Sequence, residues 1–171
     1  MRIISGKFKG KKILEPKDKK TRPLKDITKE SIFNIIKHSN KLSFELENAN
    51  ILDLFSGVGS FGLEALSREA NFVTFVENYP NVLKVLKRNI DNLNLNQNCE
   101  IFEKDILNDL HFGKFIQEYD LIFLDPPFNE KKINSILQKI YNSKILKNNG
   151  ILIIHRNYKY KDLFIDKLNI L

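Results

Sequence analysis

A single cysteine, Cys99, stands among the 171 residues, in an apolar context. One thiol cannot build a disulfide framework, and such usage suits a reducing compartment, here expected to be the cytoplasm. Histidine is also scarce. His38, His111 and His155 lie far apart without cysteine partners, so no metal site is expected. No apolar run approaches the roughly 20 residues of a membrane span. The opening Met1-Arg2-Ile3-Ile4-Ser5 lacks the pattern of a signal peptide. Acidic residues are nearly missing from one region: residues 1–25 hold ten Lys/Arg against Glu15 and Asp18 alone.

With 42% hydrophobic residues, the chain is long enough to bury a real core as one globular domain, and a monomer is expected. The charge is uneven. Beyond residue 25 the chain holds 18 bases and 19 acids, so the net +7 resides in the first 25 residues. That divides the chain into a basic arm, residues 1–25, and a body, residues 26–171. A polyanion is the obvious partner for the arm; a merely solvated lysine-rich run is the plainer alternative.

Within the arm, Arg2 to Leu14 reads as a β-hairpin with basic side chains on one face. Phe8 among the lysines suits either stacking on a nucleobase or hairpin packing. A charged linker follows, ended by Arg22-Pro23, and a helix runs from about Asp26 to His38. Its apolar positions Ile27, Ile32, Phe33, Ile35 and Ile36 are expected to pack on the body. From Asn50 onward, apolar runs alternate with amphipathic helices. Strands are expected at Ile51–Phe55, Phe72–Glu77, Cys99–Phe102, Leu121–Leu124 and Ile151–His155. Helices are expected at about Gly59–Arg68, Pro80–Asn94, Phe112–Gln117 and Lys131–Ser143. Such alternation predicts a doubly wound, mostly parallel α/β sheet with right-handed crossovers.

The first strand runs into Asp53-Leu54-Phe55-Ser56-Gly57-Val58-Gly59-Ser60-Phe61-Gly62, a G-x-G-x-x-G run between a strand and a helix. Gly57 and Gly59 allow backbone to pass close to a ligand, and Gly62 allows the helix to pack tightly on the sheet. Glu77 ends the second strand, where an acid suits a pair of ribose hydroxyls. A dinucleotide and S-adenosylmethionine both carry such a ribose. Asp53 favours the second, because a carboxylate there repels a pyrophosphate but attracts an ammonium or sulfonium. Asp105, after the third strand, is placed to accept a hydrogen bond from an adenine amino group. Plain turns and helix caps are the alternative use of these glycines and acids.

The fourth strand stops at Asp125-Pro126-Pro127-Phe128. Two prolines forbid both strand and helix continuation and form a stiff elbow at a strand's carboxyl end, where ligands bind in open α/β sheets. A carboxylate and a prolyl carbonyl can accept hydrogens from an –NH2 group while the ring stacks on a flat heterocycle. Such acceptors push the amine lone pair towards an electrophile. A strand end with an aspartate cap is the bland alternative. His155 and Arg156, past the fifth strand, suit either lining the substrate side or, more plainly, an exposed turn.

With these motifs in place the chain resembles class I, Rossmann-like S-adenosylmethionine-dependent methyltransferases acting on exocyclic amines. Arg2 to Lys12, Thr21-Arg22-Pro23, Lys29-Glu30-Ser31-Ile32-Phe33-Asn34 and Gly62-Leu63-Glu64-Ala65-Leu66-Ser67-Arg68 narrow the resemblance to the bacterial 16S rRNA guanine-N2 methyltransferases. The resemblance implies methylation of one guanine N2 of small-subunit rRNA, within a ribosomal particle. It assigns catalysis to Asp125, Pro126, Pro127 and Phe128. The methyl donor falls to Asp53, Phe55, Ser56, Gly57, Gly59, Glu77, Asn78, Asp105 and Ile106. Arg2, Lys7, Lys9 and Arg22 are expected to grip RNA phosphate.

Leu24 departs from the threonine usual after Arg-Pro in that family. The antiparallel strand pair that usually closes the fold is not evident before Leu171, so those strands are expected to be lost or cut short. The rival functions are an adenine-N6 methyltransferase of DNA or RNA, an NAD-dependent oxidoreductase, and a non-catalytic RNA-binding module. No insertion large enough to read DNA bases is evident, nor is a nicotinamide-side His, Lys or Tyr constellation. A protein-glutamine methyltransferase would carry Asn before the two prolines.

Overall fold

The computed structural model describes residues 1–18, 24–40, 42–108, 112, 115, 118–127 and 129–157. The expected Phe128 and Arg22 contacts, most of the Phe112–Gln117 helix and the last stretch up to Leu171 lie outside the described residues.

Among the described residues nine elements follow one another: α1 (Asp26–His38), β1 (Asn50–Leu54), α2 (Ser60–Ser67), β2 (Phe72–Glu77), α3 (Pro80–Asn92), β3 (Cys99–Glu103), β4 (Tyr119–Leu124), α4 (Ile133–Ser143) and β5 (Leu146–Ile154). The strands form one parallel sheet in the order β3-β2-β1-β4-β5. The chain builds outward from β1 to β3, then returns to place β4 on the other side of β1. That reversal opens a crevice between the carboxyl ends of β1 and β4, where such sheets bind ligands.

Asp53 lies beside Phe75 on β2 and Phe123 on β4, and Phe123 lies beside Ile153 on β5. Alternate residues share a face, so odd-numbered positions of the central strands face one helical layer and even-numbered positions the other. On the first face Val73, Phe75, Leu121 and Phe123 join Phe33, Phe61, Leu86 and Ile90. On the second, Leu52, Leu54, Ile122 and Leu124 meet Ile133, Ile136, Leu137 and Ile140 of α4. A stack of rings crosses the first layer: Phe33 on Phe61 at 4.9 Å between centroids, and Phe61 on Phe123 at 3.9 Å.

Three features depart from the sequence expectation. The α1 stripe that packs inward is Lys29, Phe33 and Ile36, while Ile27 and Ile35 are exposed. At 100° per residue Ile27 falls opposite Ile36, and the inward place is taken by the lysine. The buried Lys29 ammonium donates to Arg2 O at 2.7 Å and lies 3.4 Å from the equally buried Glu64. Burial lowers the Lys29 pKa, and Glu64 and Asp26 oppose that fall.

The N-terminal hairpin is a short stem: Arg2 bridges Lys12, Ile3 N–H donates to Lys11 O at 2.9 Å and Ile13 N–H to Met1 O at 3.1 Å. The donors around its turn go to α2. Ile4 and Ser5 N–H groups donate to the Glu64 carboxylate at 2.7 and 2.9 Å, and Lys7 N–H donates to Ser67 O at 2.8 Å. Ile3 and Ile13 are buried in the first core layer. Finally, β5 begins at Leu146, ahead of the expected Ile151. Tyr119 pairs with Leu146 and Leu121 with Ile151, so Lys147 to Gly150 form a bulge that the turn-like Asn148-Asn149-Gly150 composition hid.

Candidate active site

β1 leaves the sheet with Phe55 in the left-handed region at φ 60°, followed by Gly57 at 56° and Gly59 at 81°. The tight turn closes through Gly59 N–H to Ser56 O at 2.9 Å, and Ser56 N–H donates to Val76 O at 3.1 Å. The three glycines do different work. A Cβ on Gly57 would meet nothing within 4 Å. One on Gly59 would lie 2.5 Å from Leu86 Cδ1, and one on Gly62 would lie 2.4 Å from Phe75 Cε1. Gly57 is therefore open on the cavity side, while Gly59 and Gly62 seat α2 against α3 and β2.

The carboxyl edge of the sheet carries four acids in spatial order Asp105, Glu77, Asp53, Asp125. Glu77 Oε2 accepts Gly57 N–H at 2.9 Å, and Oε1 accepts the N–H groups of Asn78 and Tyr79 at 2.8 and 2.9 Å. It thus ties the glycine turn to the start of α3. Asp105 Oδ1 accepts Leu107 N–H at 2.8 Å, and Oδ2 accepts the Asn108 side-chain amide at 2.9 Å.

Asp53 is 1% exposed; Oδ2 accepts Gly62 N–H at 3.1 Å. Oδ1 is buried and has no hydrogen-bond partner. Burial holds this carboxyl well above the usual carboxylate range. The Gly62 N–H opposes that rise, and the nearby Asp125 and Glu77 charges add to it. A buried acceptor left in that state is suited to a ligand that brings a positive charge or an N–H.

One cavity of about 570 Å³ gathers the expected residues. Asp53, Phe55, Ser56 and Gly57 line it from β1, Glu77 and Asn78 from β2, Asp105 and Ile106 from β3, and Asp125, Pro126 and Pro127 from β4. Gly59 stands behind this wall. Arg2, Lys7 and Lys9 lie away from the cavity: exposed Arg2 is 3.9 Å from Asp26, and Lys7 Nζ is 5.0 Å from the Phe8 ring centre. Among the described residues no cluster of three or more His, Cys, Asp or Glu could hold a metal ion. No helix among them is long and apolar enough to cross a membrane.

Several lining residues escape sequence reasoning. Pro16 and Leu24 reach the cavity from the basic N-terminal region. Asp18 fastens that region to α3, accepting from Tyr79 O–H at 2.9 Å and Asn81 Nδ2 at 3.0 Å. Ser60 lines the cavity with a buried hydroxyl that has no hydrogen-bond partner; its place at the start of α2, within the glycine run, is the signal that could have found it. His155 is not a simple exposed turn residue. Its Nδ1 lies 2.8 Å from Asp125 Oδ1.

Comparison with known proteins adds a lineage to this geometry. The family model described as "Conserved hypothetical protein 95" matches residues 1–168. A "Ribosomal RNA small subunit methyltransferase D" of Buchnera aphidicola is 35% identical, covering 92% of this chain and 78% of that protein. The protein of the same name from Haemophilus influenzae is 32% identical over 90% of this chain and 77% of its own length. A solved Thermus thermophilus hypothetical protein superposes with a TM-score of 0.74 at 21% identity, covering 97% of this chain and 90% of that one.

Proposed function

The chain belongs to the Conserved hypothetical protein 95 family, and from that premise we propose that it transfers a methyl group from S-adenosylmethionine to the exocyclic N2 of a guanine in small-subunit rRNA. The observation that carries the reading is the cavity at the β1–β4 crevice, walled on one side by the glycine turn and on the other by Asp125-Pro126-Pro127. The small-subunit methyltransferase names of two relatives support rRNA as the substrate class.

The residues present fit the methyl donor. The unpartnered Oδ1 of Asp53 suits its ammonium, and the open face of Gly57 admits it close to backbone. Glu77 is assigned to the ribose and Asp105 with Ile106 to the adenine, a reading their shared place in the cavity lining supports. When bound, S-adenosylmethionine supplies an electrophilic methyl carbon on a sulfonium. Asp125 and the Pro126 carbonyl accept hydrogen bonds from the guanine amine and aim its lone pair, and Asp125 stabilises the positive charge that develops on nitrogen until the surplus N2 proton leaves, to Asp125 itself or to water. Holding both partners in line supplies most of the rate. The Phe128 ring is assigned to stacking on the base. Arg2, Lys7, Lys9 and Arg22 are assigned to phosphate, so each substitution to alanine should lower the slope of log affinity against log salt by about 1.

The test is transfer of labelled methyl from S-adenosylmethionine to small ribosomal subunits lacking the modification. Asp125→Ala should keep methyl-donor affinity, measured by calorimetry, while turnover collapses. Normal methylation by that variant would overturn the assignment.

A further inference from the structure

Asp125 is held differently from the other acids of the sheet edge. Glu77 and Asp105 are fixed by backbone N–H groups just downstream of themselves. Aspartates ordinarily orient themselves this way, through the N–H two residues on. Asp125 is denied it, because residues 126 and 127 are both proline and carry no N–H. The local restraint that would otherwise aim the carboxylate is therefore missing.

The restraint comes from β5. His155 N–H donates to Leu124 O at 2.9 Å, extending the ladder one step past the last pair, Leu124 with Ile154. Asp125 and His155 both lie two residues beyond the paired Phe123 and Ile153, so they emerge side by side on one face. Their side chains are 13% and 22% exposed, with Nδ1 2.8 Å from Oδ1. A carboxylate only accepts, so Nδ1 carries the hydrogen in either charge state of the ring.

We infer that His155 is a positioning residue for methyl transfer: its Nδ1–H holds Asp125 Oδ1 and fixes the carboxylate in the orientation that receives the substrate amine. This rests on the role of Asp125 proposed above. The imidazole replaces the backbone donors that the two prolines withhold, and it does so from a strand that touches neither the glycine turn nor β2.

The test uses single-turnover methyl transfer to unmethylated small ribosomal subunits, with S-adenosylmethionine affinity measured on the same proteins. His155→Leu should slow transfer roughly 10- to 100-fold, the cost of a misaimed group, with affinity for the methyl donor within about twofold of the original. His155→Asn, whose amide nitrogen stands near the lost Nδ1, should recover most of the rate. If His155→Leu does not fold, His155→Gln takes its place and should be slowed in the same way. A leucine variant (or the glutamine in its stead) as fast as the original overturns the inference, as does an asparagine variant no better than it, or donor affinity falling in step with rate. Asp125→Ala is run beside them. If it is active, the role of Asp125 itself fails; if it is dead while His155→Leu is fast, only the positioning fails.

Discussion

Replacing Asp53 by asparagine exchanges one oxygen for an amide nitrogen and leaves the side-chain volume nearly unchanged. In the folded protein this carboxylate is buried, receives one hydrogen bond from Gly62 N–H at 3.1 Å, and leaves Oδ1 without a partner. Burial, with the Asp125 and Glu77 charges behind it, raises its pKa well above the ordinary value. A carboxyl with a raised folded pKa binds its proton more tightly in the native state, so stability falls as pH rises from the unfolded pKa to the folded one. The penalty is absent below the unfolded value and complete above the folded value.

Asparagine has no such window. A buried unsatisfied polar group costs about 1–3 kcal/mol, more when charged, and the variant keeps a neutral one; the substitution should therefore recover about 1–2 kcal/mol at alkaline pH. For a domain of this size that is a rise in Tm of about 2–8 °C. Affinity for S-adenosylmethionine should move the other way, roughly tenfold weaker, because a hydrogen bond to a charged group is lost. Thermal melts without ligand, at several pH values from about 4 to 8, with calorimetry of the methyl donor alongside, make the measurement. A variant that melts lower than the original at the alkaline end would refute the reasoning. So would a gap that ignores pH, or undiminished donor binding.

Gly62→Ala pushes a methyl to 2.4 Å from Phe75 Cε1 and 2.7 Å from Val73 Cγ1, and should lower the urea midpoint by an amount worth about 1–3 kcal/mol. Gly57→Ala meets no neighbour but sits at φ 56°, so it should cost only about 1 kcal/mol in the same assay while weakening donor binding more than Gly62→Ala does. Glu64→Ala leaves the buried Lys29 ammonium only the more distant Asp26 carboxylate at 3.8 Å and strands the Ile4 and Ser5 N–H groups; a loss of about 3–5 kcal/mol by chemical denaturation is expected. Burial pushes the Cys99 thiol up to about 11, so thiolate accumulates only as pH rises towards that value. Alkylation by iodoacetamide near pH 8 should run roughly a hundredfold slower than for free cysteine.

The sheet and its edge are legible in the sequence because their signals are local. Apolar runs, Pro80 at a helix start and the glycine run mark β1, β2, α2 and α3 within short windows, and the acid at the end of each of four strands follows from the same periodicity. What stays hidden depends on partners distant in sequence. Lys29 looks like a solvated lysine until Glu64, on another helix, is found beside it. The N-terminal hairpin keeps a short stem, but the donors around its turn go to Glu64 and Ser67, some 60 residues away, which no local pattern announces. For His155 a substrate-side place and an exposed turn both stay open, because nothing around it announces Asp125. The β5 bulge is hidden for a different reason: Asn148-Asn149-Gly150 has turn composition whether or not it lies within a strand.

The proposed function has one cavity bring a methyl donor to a guanine amine, and every assignment made for the sheet edge depends on that meeting. Mass spectrometry of small-subunit rRNA nucleosides, from cells with and without this protein, tests it most directly. The expected result is N2-methylguanosine at one site that disappears with the gene and returns with the unaltered protein but not with Asp125→Ala. An unchanged nucleoside profile, or a loss confined to methylated adenine, would contradict it.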